Sequence, residues 1–114
     1  MQLLALLVTF ALDTDATRAT LYRIDAEARL ARMHPEEAAA HAQAADRQAH
    51  EVAARLQSEP ALADEATRLS KEADALSNAA RQEAGDGTVP DQAMRLELAI
   101  RRLDLMLPAP PPAR

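Results

Sequence analysis

Small and apolar residues return at alternating intervals of four and three through most of the chain. The first run is Leu3, Leu7, Phe10, Thr14, Thr17, Leu21, Ile24, Ala28 and Ala31. That spacing keeps one stripe of an α-helix turned toward a neighbouring helix over its whole length. The stripe returns at Ala38, Ala42, Ala45, Ala49, Val52 and Leu56, and then at Leu62, Ala66, Leu69, Ala73, Leu76 and Ala80. A last run joins Ala93, Leu96, Ile100, Leu103 and Leu107. Seams of this kind separated by Pro or Gly predict an all-α protein: an antiparallel, up-down helical bundle of three to four helices with a long N-terminal helix. Residues 1–107 are expected to form this single domain, and residues 108–114 a Pro-rich disordered or extended tail.

The breaks between seams define the elements. A first helix from about Gln2 to Met33 ends at His34-Pro35, because a proline disfavours helical geometry in the residue before it. Pro35 then suits the first turn of a second helix reaching about Gln57, with Glu36 and Glu37 complementing its positive end. Pro60 opens a third helix, capped by Ser58 or Glu59 and extending to about Ala84. Gly85-Asp86-Gly87-Thr88 holds both glycines of the chain and reads as a C-cap and loop. The final helix starts at Val89-Pro90-Asp91 and runs to Leu107, where Pro108 stops it.

The opening stretch MQLLALLVTFAL is apolar on every side. It has the length of the hydrophobic part of a secretory signal, with Thr9 and Ala11 as small residues before a cut, but a basic start is lacking. The seam passes through it in phase into Thr14 and Thr17, which favours a retained helix and a cytoplasmic protein. A cleaved residue 1–11 segment would instead make the protein secreted or periplasmic. A membrane span needs about 20 apolar residues, and Asp13 and Asp15 end the run early. Thr14 and Thr17 admit two readings as well. They are either buried polar layers of one continuous helix, or the marks of a break at which Asp13 or Thr14 caps a new one.

Composition removes several function classes. The chain has 114 residues, no cysteine, 28 alanines and 16 leucines, and Phe10 and Tyr22 are its only aromatics. Disulfides and thiolate sites are thereby excluded. A net charge of −5 and the scarcity of stacking side chains argue against nucleic acid as a partner. No Gly-rich phosphate loop and no nucleophile motif accompany Ser58, Ser70 or Ser77. Ser70 and Ser77 are expected to face solvent or bond to their own helix. Asp64, Glu65, Glu72 and Asp74 are expected to pair with Arg68 and Lys71 on a solvated face.

The one metal-like spacing is His34, Glu37 and His41, at i, i+3 and i+7. His34 sits at a helix cap and a fourth ligand is missing, so the plainer expectation is a capping histidine and a solvated Glu37–His41 pair. Met33, His41 and Met106 are candidate heme ligands on paper only, and no cofactor is expected. The apolar side chains that overflow the seams are more informative. Leu3, Leu4, Leu6, Leu7, Val8 and Phe10 of the first helix, with Leu98 and Leu105 of the last, are the candidate interface. The expected function is that of a non-enzymatic interaction protein that self-associates through its first helix, with a dimer favoured, and docks to a protein partner. The alternative is a secreted or periplasmic bundle that binds a small ligand or a metal ion.

Overall fold

Pro35 and Pro60 cut the chain where the sequence places its breaks. The computed structural model describes residues 2–82 and 88–108, with the side chains of the first helix described from Thr14 onward. Four α-helices result: α1 (Gln2–Met33), α2 (Ala38–Leu56), α3 (Pro60–Gln82) and α4 (Thr88–Met106). A single 3-10 turn, Pro35–Glu37, joins α1 to α2. His34 before it takes φ −125°, ψ 81°, the extended geometry that a following proline demands. Its backbone closes α1 by donating to the Leu30 carbonyl at 2.9 Å and accepts from Glu37 N–H at 2.9 Å. The His34 side chain makes no capping hydrogen bond, which corrects the expectation of a capping histidine. At the next corner the carbonyl of Glu59 accepts from Leu62 and Ala63, each at 2.9 Å.

The helices form a closed ring in which α1 packs on α2, α2 on α3, α3 on α4 and α4 back on α1. Every seam position from Thr14 to Leu107 is buried. Leu21, Ile24, Leu69, Leu76, Leu96 and Leu103 are the largest fully enclosed side chains. Along α2 the buried stripe is Ala38, Ala42, Ala45 and Ala49 before Val52 and Leu56 appear, so its neighbours meet a nearly smooth surface there. The expected second helix starting at Pro35 is thus a 3-10 turn followed by an α-helix. Gly85, Asp86 and Gly87, the tail residues from Ala109 to Arg114 and the side chains of Leu3, Leu4, Leu6, Leu7, Val8 and Phe10 lie outside the described residues.

α1 does not break at Asp13. It is one 32-residue helix, and Thr14 and Thr17 occupy core layers at 7% and 1% exposure, so neither is a cap. Thr20 is buried beside them and donates its hydroxyl to the Ala16 carbonyl at 3.0 Å, one turn back in its own helix. The Thr17 hydroxyl bonds to no other described protein group.

The far end of the bundle is held by Arg18 of α1. Its side chain is 13% exposed and donates Nε to Asp104 Oδ1 at 2.8 Å. A second donation runs from Nη2 to the Pro108 carbonyl at 2.9 Å. α4 has no basic residue in its own last turn, so α1 supplies the cation that its negative end favours.

Three core substitutions separate packing from polar cost. Leu103→Ala, at a fully buried position, is expected to lower stability by about 2–4 kcal/mol. Thr17→Val removes a buried hydroxyl without a partner and is expected to raise stability by about 1 kcal/mol. Thr20→Val, whose hydroxyl is bonded, should give less than Thr17→Val. Urea unfolding of the three variants beside the parent measures all of this, and a destabilised Thr17→Val would show that its hydroxyl is bonded.

Candidate functional site

His41 and His50 are nine positions apart on α2, half a helical revolution at about 100° per residue. They therefore address opposite neighbours. His41 turns to α1, where its Nδ1 lies 2.7 Å from Glu27 Oε2, while its Nε2 lies 3.3 Å from Glu37 Oε2. The hydrogen bond to Glu27 is the main reason its pKa is raised, and Glu37 adds to it against the opposing effect of burial. An imidazolium donates from both nitrogens at once, which neutral imidazole cannot do.

Glu37 and His41 of the sequence-derived triad are therefore together, while His34 is not with them. Its Nδ1 lies 3.7 Å from Glu36, on an exposed side chain. The solvated Glu37–His41 pair exists, but the closer partner is Glu27, on a helix that spacing within α2 could not identify. The heme candidates do not converge either, since Met33 and Met106 are 65% and 44% exposed.

His50 turns to α3. Its Nε2 lies 2.8 Å from Asp74 Oδ1 and 3.4 Å from Asp46 Oδ1, one turn earlier on α2. Its Nδ1 lies 3.1 Å from the hydroxyl of Ser70. Burial, followed by a hydrogen bond to Asp74, pushes the Asp46 carboxyl up to about 6. Asp74 is held below the usual carboxylate range, first by its hydrogen bond with Asp46 and then by His50. The hydrogen bond with Asp74 in turn raises the pKa of His50. Asp46, His50 and Asp74 are also the group of the described residues with three donor atoms within 4.8 Å of one another, the set best placed to hold a divalent ion. The two His50 nitrogens are engaged by Asp74 and Ser70, while Asp46 Oδ1 has no hydrogen-bond partner among the described groups.

Ser70 corrects an expectation, and Ser77 corrects the part of it that turned the side chain to solvent. Both are buried, at 9% and 5% exposure, and Ser70 bonds across to α2 instead of facing solvent or its own helix. Seams in which alanine alternates with larger residues let the backbones of α2 and α3 approach, and this encloses the small side chains beside the seam. The expected pairing of Arg68 and Lys71 with Asp64, Glu65, Glu72 and Asp74 is not found among the described ion pairs. Glu72 instead accepts from Gln92 Nε2 of α4 at 2.7 Å, and Asp74 holds His50.

The other feature is the outer face of α4, where Leu98 and Leu105 are 54% and 79% exposed and Met94 is 54% exposed. A groove of about 160 Å³ runs beside Leu98 and Ala99 between α3 and α4, walled by Arg68, Glu72, Arg95 and Arg102. The α1 side of α4 carries acids instead, and these are paired. Glu97 lies 3.3 Å from Arg32 and 3.6 Å from Arg29, and Asp104 holds Arg18. The chain matches no family model, no curated protein and no solved structure.

The two histidine contacts set a pH dependence. A folded-state pKa raised above that of the unfolded chain gives stability that is full below the unfolded value near 6.5 and is lost as pH rises through the folded value. The raised Asp46 carboxyl acts in the same sense at lower pH, because between about 4 and 6 the unfolded chain releases a proton that the bundle retains. Stability is therefore expected to fall as pH rises from 5 to 8.5. His41→Gln and His50→Gln should each flatten that slope. Urea midpoints taken across the pH series test this, and a slope unchanged in both variants would refute it.

Proposed function

We propose that the protein is a non-enzymatic helical interaction module that pairs with a second copy of itself through the N-terminal part of α1 and docks to a protein partner. What carries the reading is the length of α1. It has 32 residues, against 19 in α2, 23 in α3 and 19 in α4. The contact of Arg18 with Asp104 and the Pro108 carbonyl sets the end of α4 level with the Arg18 turn. The dozen helical residues before Thr14 therefore extend about 18 Å beyond the stretch that α4 accompanies. Apart from Asp13 at its end, that segment is uncharged and leucine-rich, and an apolar sequence of this kind is covered in water by another protein surface. A second copy offers an identical segment, so two such ends satisfy one another around a two-fold axis.

Catalysis draws less support. The Asp46–His50–Asp74 cluster brings three titratable groups together, but it lies on a helix surface away from the α3–α4 groove, with both His50 nitrogens engaged in cross-helix bonds. No helix among the described residues is long and apolar enough to cross a membrane.

Sedimentation velocity tests the self-association. The parent is expected to sediment as a dimer at tens of micromolar, and the double variant Leu4→Glu, Val8→Glu as a monomer with unchanged helix content. A parent that remains monomeric at high micromolar concentration would dismiss the pairing.

A further inference from the structure

The outer face of α4 has a composition unlike the rest of the surface. Met94, Leu98 and Leu105 occupy positions i, i+4 and i+11, which fall within about 40° of one another on a helix. They make an apolar row roughly 16 Å long, with the exposed Arg101 at i+7 on its α1 edge between Leu98 and Leu105. All three are more than half exposed, while the seam on the opposite side of α4, including Leu96 and Leu103, is fully buried. The row is thus surplus to the bundle's own packing.

Its α3 flank is basic. Arg95 and Arg102 stand seven residues apart along α4, and Arg68 faces them from α3 across the groove. None of the three makes an ion pair with a described residue; on the other flank of α4, Arg18, Arg29 and Arg32 are paired and Arg101 is not. The groove contains one acid, Glu72, which Gln92 already engages at 2.7 Å. In a chain with a net charge of −5, a strip of three uncompensated guanidinium groups beside an apolar row is a local inversion of charge.

We infer that the α3–α4 face is the docking surface for an acidic amphipathic helix of a partner protein. The inference rests on the interaction-module reading and gives its partner a chemistry. The ligand's apolar ridge lies along Met94, Leu98 and Leu105. Carboxylates two turns apart on its flank meet Arg95 and Arg102, whose separation of about 10 Å along the axis matches an i, i+7 pair. Guanidinium forks donate to carboxylates in a bidentate manner, so charge sets orientation and encounter rate while the row supplies the buried area. The row contains no aromatic side chain on which a nucleobase could stack, which favours a helix over a single-stranded nucleic acid.

The test uses a fluorescein-labelled synthetic peptide of 21 residues with Leu at the a and d positions and Glu along both flanks. A second peptide has every Glu replaced by Lys. Fluorescence polarisation with the full chain is expected to show micromolar binding of the Glu peptide, weakening at least tenfold between 50 and 500 mM salt. The Lys peptide should bind at least tenfold more weakly. Leu98→Asn with Leu105→Asn, and separately Arg95→Gln with Arg102→Gln, should each reduce affinity at least tenfold. Arg47→Gln on α2 should leave it unchanged.

Equal binding of both peptides, no binding of either, or indifference to the Arg95/Arg102 pair would overturn the inference. So would binding to phosphatidylglycerol vesicles, lost in the same variants, without binding to the Glu peptide. Sedimentation of the same samples keeps the two readings apart. The Arg95/Arg102 variant should retain the parent's oligomeric state, and a shift to monomer would assign this face to a second copy and overturn the acidic-helix partner.

Discussion

The constraint on which the bundle depends is the alanine stripe of α2. Ala38, Ala42, Ala45 and Ala49 are enclosed between α1 and α3 and contribute a surface with few ridges. Such a surface allows close approach, yet it carries little shape information, because a neighbour sliding by one turn meets nearly the same outline. Each buried alanine also removes less apolar area from water than a leucine does. Cohesion and register therefore have to come from other elements. The large side chains Leu21, Ile24, Leu69, Leu76, Leu96 and Leu103 on the other helices supply the area.

Register is supplied by polar contacts at the rims of the interfaces. α1 meets α2 through Glu27 and His41, and α2 meets α3 through His50, Asp74 and Ser70. α3 meets α4 through Glu72 and Gln92, and α4 returns to α1 through Asp104 and Arg18, with Glu97 between Arg29 and Arg32. Every neighbouring pair in the ring thus carries at least one directional contact. Individually such half-exposed pairs are worth little. Their geometric requirement is sharp, however, since a one-turn slip of about 5.4 Å would break them all, and this discriminates between registers that the alanine stripe leaves nearly equal.

That division of labour explains what was legible in the sequence. The helices and their buried stripes follow from spacing within one segment, so Ala42, Leu69 and Ile100 could be assigned to the core from the four-three alternation alone. Helix ends followed from Pro35 and Pro60, whose effect is also local. The cross-helix partners were not legible, because Glu27 and His41, or His50 and Asp74, come together only once the relative rotation and shift of two helices are fixed. The nine-residue interval between the histidines was the available signal, since it pointed them at two different neighbours. Ser70 and Ser77 were misread for a related reason. Their enclosure depends on how closely α2 approaches, which is a property of the alanines opposite and not of the serines.

The same logic bears on α4, which touches α1 and α3 with flanks of opposite character. On the α1 side its acids Glu97 and Asp104 both meet arginines of α1, so their charge belongs to the fold. On the α3 side Arg95 and Arg102 face Arg68, an arrangement of like charges that adds nothing to the bundle's cohesion. Met94, Leu98 and Leu105 beside them are likewise unused by the core. A flank on which both the charges and the apolar area are surplus is poorly explained by folding, for which the α1 side shows the available solution. The acidic amphipathic helix proposed as its partner would satisfy both surpluses at once.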